Sequence, residues 1–153
     1  MDLYNQERRR FFAYLIRRGA DYQLACDILQ ETFARLYAKY RPERFSPALL
    51  YTIGRNLLLD ALRARRRHSS AQQAAEPPAD DPEHDLMVRD EYRRVLDAMR
   101  HLTEEERDLL ALVVSSGLTY QQIAEMTGTS LANVKVKIHR ARKKLRNLLG
   151  ADP

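Results

Sequence analysis

Seven cations, Lys135, Lys137, Arg140, Arg142, Lys143, Lys144 and Arg146, crowd one short segment with no acid among them. A polyanion is the natural partner for a run of one sign. Val134, Ile138, Ala141, Leu145 and Leu148 recur through the same segment at spacings of four, three, four and three. They make a single apolar stripe, so the cations lie on the outer face of an amphipathic helix. A solvated face at the end of a bundle is the plainer alternative, but the run has one sign only and follows a capped turn, which favours DNA binding. A second basic group, Arg63, Arg65, Arg66 and Arg67, follows Tyr51, Arg55 and Asn56. Aromatic and amide groups beside cations could stack on bases while the cations meet phosphates, although the spacing of Tyr51 also fits a packed side chain.

Catalytic constellations are absent from the pattern. His68, His84, His101 and His139 are scattered, and Cys26 stands alone, so no spacing suggests a zinc site. Asp80, Asp81, Glu83 and Asp85 are interrupted by proline and lack the glycine of a calcium loop. No phosphate-cradling glycine loop or nucleophile elbow occurs. Cys26 reads as a small packed residue at the edge of an apolar helix face. No cofactor or metal is expected, and no enzymatic activity.

The basic helix needs an element to present it. Thr119 and Gln122 form a capping box for a short helix with Ile123, Ala124 and Met126 on its apolar side. Gly128 can end that helix in the left-handed conformation, and Ser130 can cap the next. A small helix, a tight turn and a basic helix make a helix-turn-helix, whose second helix enters the major groove of duplex DNA. Upstream, Val88, Tyr92, Val95, Leu96, Met99 and Leu102 form one helical stripe. Thr103 to Glu106 is a second capping box, opening a helix through Leu109, Leu110, Leu112 and Val113 that Gly117 closes.

In the first half, residues 4 to 18 form a helix with Phe11, Phe12, Leu15 and Ile16 on one side, ended by Gly19. Asp21 opens a second helix through about Tyr40. Its buried face holds Ala25, Ile28, Leu29, Thr32, Phe33, Leu36 and Tyr40, and Asp27, Gln30, Glu31, Ala34 and Ala38 line the opposite face. That polar stripe is either solvated or a docking surface for a basic or polar helix. Ser46 and Pro47 start a third helix, with Leu50, Ile53, Gly54, Leu57, Ala61 and Leu62 inward. Leu49, Thr52, Arg55, Asn56, Asp60 and Arg63 face outward. Gly54 within that helix costs about 1 kcal/mol relative to alanine, which suggests close packing or a bend there.

No stretch alternates like a half-buried strand, so the expected fold is all-α. The segment from His68 to Asp85 holds Pro77, Pro78 and Pro82, with acids and no lysine or arginine. It reads as a flexible acidic linker that could also mimic nucleic acid in a basic channel. The expected organisation is therefore 1-67, a first helical domain; 68-85, the linker; and 86-153, a second helical domain. Each would bury a modest core within 153 residues carrying a net charge of +5. No run is long and apolar enough for a membrane span, no secretory signal is evident, and one cysteine fits a reducing cytoplasm. No further domain is expected after Leu149.

The order of these parts resembles the group IV, or extracytoplasmic function (ECF), sigma factors of bacterial RNA polymerase. Leu24 to Tyr37, LACDILQETFARLY, is similar to sigma region 2.2, and Leu50 to Arg67, LYTIGRNLLLDALRARRR, is similar to regions 2.3 and 2.4. Thr119 to Arg146 is similar to region 4.2. The resemblance implies that Asp27, Gln30, Glu31 and Ala34 dock on the β′ clamp helices of core polymerase, and that the second domain meets the β flap. It implies that Tyr51, Arg55, Asn56, Asp60 and Arg63 engage the minus-ten element, capturing flipped non-template bases as single strand. Asn133, Lys135, Val136, His139 and Arg140 would read the minus-thirty-five element, with Lys137, Arg142, Lys143 and Lys144 on phosphates. An anti-sigma factor is a further implied partner. The family commonly has tryptophan where this chain has Leu49, which cannot wedge a base pair as an indole would, and the loop from Arg41 to Pro47 is short for the family.

Two other functions compete. A helix-turn-helix regulator that never joins the polymerase would bind DNA with the second half and use the first for dimerisation or sensing. An RNA-processing or RNA-binding enzyme would exploit both basic groups, but would need a catalytic constellation that is not found.

Overall fold

The computed structural model describes residues 2–68 and 86–150, and every regular element among them is a helix. The first half comprises α1 (Asp2–Arg17), α2 (Tyr22–Lys39), a 3-10 turn (Pro42–Arg44) and α3 (Pro47–His68). The second comprises α4 (Leu86–Met99), α5 (Glu104–Ser116), α6 (Tyr120–Thr127) and α7 (Leu131–Leu149). The acidic linker expected between them, with Asp80, Asp81, Glu83 and Asp85, lies outside the described residues beyond His68.

Local chemistry sets the helix ends. The Asp21 carboxylate accepts from the Leu24 amide at 2.8 Å and opens α2. Thr103 with Glu106 and Thr119 with Gln122 both form reciprocal capping boxes, and Ser130 accepts from the Asn133 amide at 3.0 Å. Gly117 and Gly128 close α5 and α6 with φ of 72° at each, a conformation that costs a side-chain-bearing residue energy.

The core is one connected cluster through both halves. Phe11, Tyr14 and Leu15 of α1 meet Leu36 of α2 and Leu50 of α3, and α1 also packs on α5, which carries Leu109 and Leu112. The second half adds Ile123, Val134 and Ile138. The sequence suggested two separate cores; the structure lays the second half directly on α1.

The buried side of α3 is also displaced from the expected stripe. Leu50 and Gly54 are inside as expected, but Tyr51 and Leu58 are fully buried too, while Ile53, Leu57, Ala61 and Leu62 are only partly so. The reason is that α3 packs against both α2 and α1, which demands a wider apolar face than one neighbour would.

Candidate nucleic-acid interface

The outer face of α7 follows from its inner one. Val134, Ile138 and Ala141 are buried against α5 and α6, which turns Lys135, Val136, His139 and Arg140 outward, all exposed. These four sit on one side of the helix at successive turns, and 45% exposure of Val136 leaves an apolar contact among polar ones. Asn133 is half-buried: its Nδ2 donates to Thr129 Oγ1 at 2.7 Å and to Glu105 Oε2 at 3.1 Å. Lys137 Nζ is 3.2 Å from Glu105 Oε1, and Lys144 Nζ donates to Glu106 Oε1 at 2.8 Å. Arg142 and Lys143 are exposed, with an Arg142 nitrogen 3.5 Å from the Tyr120 hydroxyl. Two of the four expected phosphate cations are thus held by α5 carboxylates in this arrangement.

Burial tends to push the Glu106 carboxyl up, but hydrogen bonds from Lys144 and Thr103 outweigh it and hold the group below the usual glutamate value.

The expected minus-ten set divides. Asn56, Asp60 and Arg63 are exposed, with Arg63 3.7 Å from Asp60. Arg55 turns instead toward the second half, where its Nε donates to Asp108 Oδ2 at 2.7 Å. Tyr51 is wholly buried, so the expectation that its ring meets DNA fails for this conformation. It stands edge-on to Phe11 at 5.2 Å and to Tyr14 at 5.6 Å between ring centroids. Burial pushes its hydroxyl pKa well above that of an ordinary tyrosine. Leu49 packs partly buried against the core, and Thr52 donates to the Ala48 carbonyl at 2.7 Å. Beyond Arg63, Arg65 pairs with Asp21 at 2.8 Å and Arg66 with Glu104 at 3.0 Å, while Arg67 is exposed.

On α2, Asp27, Gln30, Glu31 and Ala34 are all exposed and share one face. Gln23 donates to Asp27 at 3.0 Å and Arg35 to Glu31 at 2.9 Å, so the stripe is braced along its own helix.

Sequence reasoning missed Asp108. Its Oδ1 accepts from the Tyr14 hydroxyl at 2.7 Å and from Arg18 Nε at 2.9 Å, both buried partners. Burial, and then the Asp108 charge, raise the Tyr14 pKa well above the ordinary value. Burial alone would lower Arg18, but Asp108, Tyr14 and Glu104 outweigh it and raise it. The available signal was a carboxylate directly beside Leu109 and Leu110, where an unpaired charge would be costly. Its partners lie too far along the chain for spacing to reveal them.

Comparisons with known proteins identify the family of the chain. The sigma-70 region 2 family matches residues 3–68, and the sigma-70 region 4 family matches residues 92–145. The RNA polymerase sigma factor CarQ of Myxococcus xanthus is 35% identical over 92% of this chain and 81% of its own length. The ECF RNA polymerase sigma factor EcfG of Rhodopseudomonas palustris is 34% identical over 94% of this chain and 80% of its own. Among solved structures, the sigma factor RpoE in complex with the anti-sigma factor NepR from Bartonella quintana superposes with a TM-score of 0.78 at 24% identity. That match covers 99% of this chain and 97% of that one. CnrH in complex with the cytosolic domain of CnrY gives a TM-score of 0.74 at 24% identity, covering 99% and 88%. Both carry the same all-helical fold.

Proposed function

This chain belongs to the ECF sigma factors of the sigma-70 family, and we propose on that footing how it directs core RNA polymerase to a two-part promoter. Residues 1-67 dock and open DNA, and residues 86-153 read the upstream element. The observation that carries the proposal is the simultaneous exposure of a polar α2 face and a basic α7 face on a chain matching both sigma regions. A lone DNA-binding regulator needs the second face and has no use for the first.

The α2 stripe of Asp27, Gln30, Glu31 and Ala34 takes the β′ clamp helices, with carboxylates suited to charge-assisted bonds. The second half meets the β flap. On α7, Lys135, Val136, His139 and Arg140 supply donors and an apolar contact for base edges, while Asn133 is positioned at the helix start. Arg142 and Lys143 serve phosphates, joined by Lys137 and Lys144 when DNA displaces their glutamates. On α3, Asn56, Asp60 and Arg63 form the exposed part of the minus-ten surface, and Arg55 completes it once freed from Asp108. Unstacking a base costs a few kcal/mol, so capture beside the cations Arg63 to Arg67 holds the strands apart.

The chain itself catalyses nothing in this reading; bond formation belongs to the polymerase. It works in the cytoplasm on the nucleoid, and among the described residues no helix is long and apolar enough to cross a membrane. Of the solved neighbours, the sigma factor RpoE is captured with the anti-sigma factor NepR and CnrH with the cytosolic domain of CnrY, and we assign this chain an inhibitor of the RpoE–NepR kind.

The test is to reconstitute the chain with core polymerase and sequence the genomic DNA fragments that the complex retains. A motif of two separated elements is expected with polymerase present. A motif of one element, the same with and without polymerase, would favour the regulator.

A further inference from the structure

Two cations of α3, Arg55 and Arg66, are already occupied, and the occupant is the beginning of α5. Asp108, with 6% of its side chain exposed, accepts from Tyr14, Arg18 and Arg55, all three from the first half. Four residues earlier, Glu104 takes Arg66 at 3.0 Å and lies 3.7 Å from Arg18. Further along the same contact, Arg107 Nε donates to the Arg17 carbonyl at 2.7 Å and Arg17 donates to Ser115 Oγ at 2.8 Å. The Arg17 guanidinium also covers the Tyr92 ring at 5.7 Å.

We propose that Asp108 and Glu104 form an intramolecular latch that closes the two halves on each other and occupies Arg55 and Arg66 in place of promoter DNA. The proposal rests on the sigma reading above, since it is that reading which sends Arg55 to the minus-ten strand. A carboxylate on a guanidinium uses the same charge-assisted bonding as a phosphate, so the latch and DNA compete for the same donors. The linker that the sequence suggested could imitate nucleic acid lies outside the described residues; among those described, the first turns of α5 place carboxylates on the α3 cations Arg55 and Arg66.

The latch is built to open. One terminal nitrogen of the buried Arg18 has no hydrogen-bond partner among the described residues. Arg107 is partly buried close to the Arg18 charge, and desolvation and that charge together hold its pKa down to about 10. A cavity of about 170 Å³ is lined by Arg18, Arg55, Glu104 and Asp108, so packing around the contact is incomplete. Closure therefore carries opposing costs alongside its bonds. Binding of the two halves to separate sites on polymerase would tip the balance, because a ligand that favours the open state shifts the population toward it.

The experiment compares the full-length chain with Asp108→Asn and Glu104→Gln, by small-angle scattering and by binding to a short fluorescein-labelled DNA single strand of mixed sequence. The closed wild type should have a radius of gyration of about 15 Å, and Asp108→Asn should approach about 20 Å, the size of two separated halves. Affinity for the strand should rise about tenfold in Asp108→Asn and by less in Glu104→Gln. With core polymerase bound, the ratio to wild type should fall within about twofold, since the latch is then already open. Unchanged dimensions in Asp108→Asn, or a gain in affinity that persists undiminished on polymerase, would overturn the latch. Should Asp108→Asn lose its helical circular dichroism, Glu104→Gln decides by the same readouts, because Glu104 is at the surface. Failure of the wild type to bind polymerase at all would count against the sigma reading, while the scattering comparison would still judge the latch.

Discussion

Glu106 binds both the beginning of its own helix and the far helix α7. It accepts from the Thr103 amide at 3.1 Å and from Lys144 at 2.8 Å, with only 4% of its side chain exposed. Its folded pKa is lowered, so its contribution to stability is fully present above the ordinary glutamate value of 4.5 and is lost as pH falls through the folded value. Glu106→Gln should cost roughly 1–3 kcal/mol at neutral pH and flatten the acid limb of the stability curve, as read by urea titration at several pH values. Gly54 permits a different kind of contact. A Cβ there would collide with the Phe11 ring, which is fully buried against Tyr14 and Tyr51 and cannot move aside. Gly54→Ala should therefore destabilise by about 1–3 kcal/mol despite its better helix propensity, and a thermal melt would register the loss. That close packing was legible, because glycine inside an apolar helix stripe invites it. Asp108 was not, since its three partners lie in another part of the chain.

At the level of elements, caps were the most legible feature because they depend on residues three positions apart. Both capping boxes, Asp21 and Ser130 stand where the sequence placed them. The α7 stripe was legible, since Val134, Ile138 and Ala141 are buried as their spacing placed them, and the α3 face less so, since packing on α2 and α1 widens it to bury Tyr51. The exposed side of α7 makes a sharp distinction testable. His139→Ala should change the preferred base at one position of the upstream element and cost about 1–3 kcal/mol there. Lys143→Ala should instead weaken all sequences alike and reduce the salt slope by about one. Competition binding across a library of single-base variants, repeated at several salt concentrations, separates the two.

For the whole molecule, the family was legible from the order of the parts, while the relative placement of the halves was not. Among the pairs that join them are Tyr14 with Asp108, separated by 94 positions, and Arg17 with Ser115, separated by 98. Periodicity reports on one element at a time and is silent on such pairs. The central claim is that the polar face of α2 docks this chain on the transcription machinery. It is tested most directly by co-elution of the full-length chain with core bacterial RNA polymerase on size exclusion, alongside a Glu31→Lys variant. Glu31 is exposed and pairs only along its own helix with Arg35 among the contacts described, so the variant should keep its fold and its affinity for duplex DNA. The account predicts that the wild type co-elutes and Glu31→Lys does not. Co-elution of both would remove the docking face from α2, and co-elution of neither, with duplex DNA still bound, would contradict the sigma reading itself.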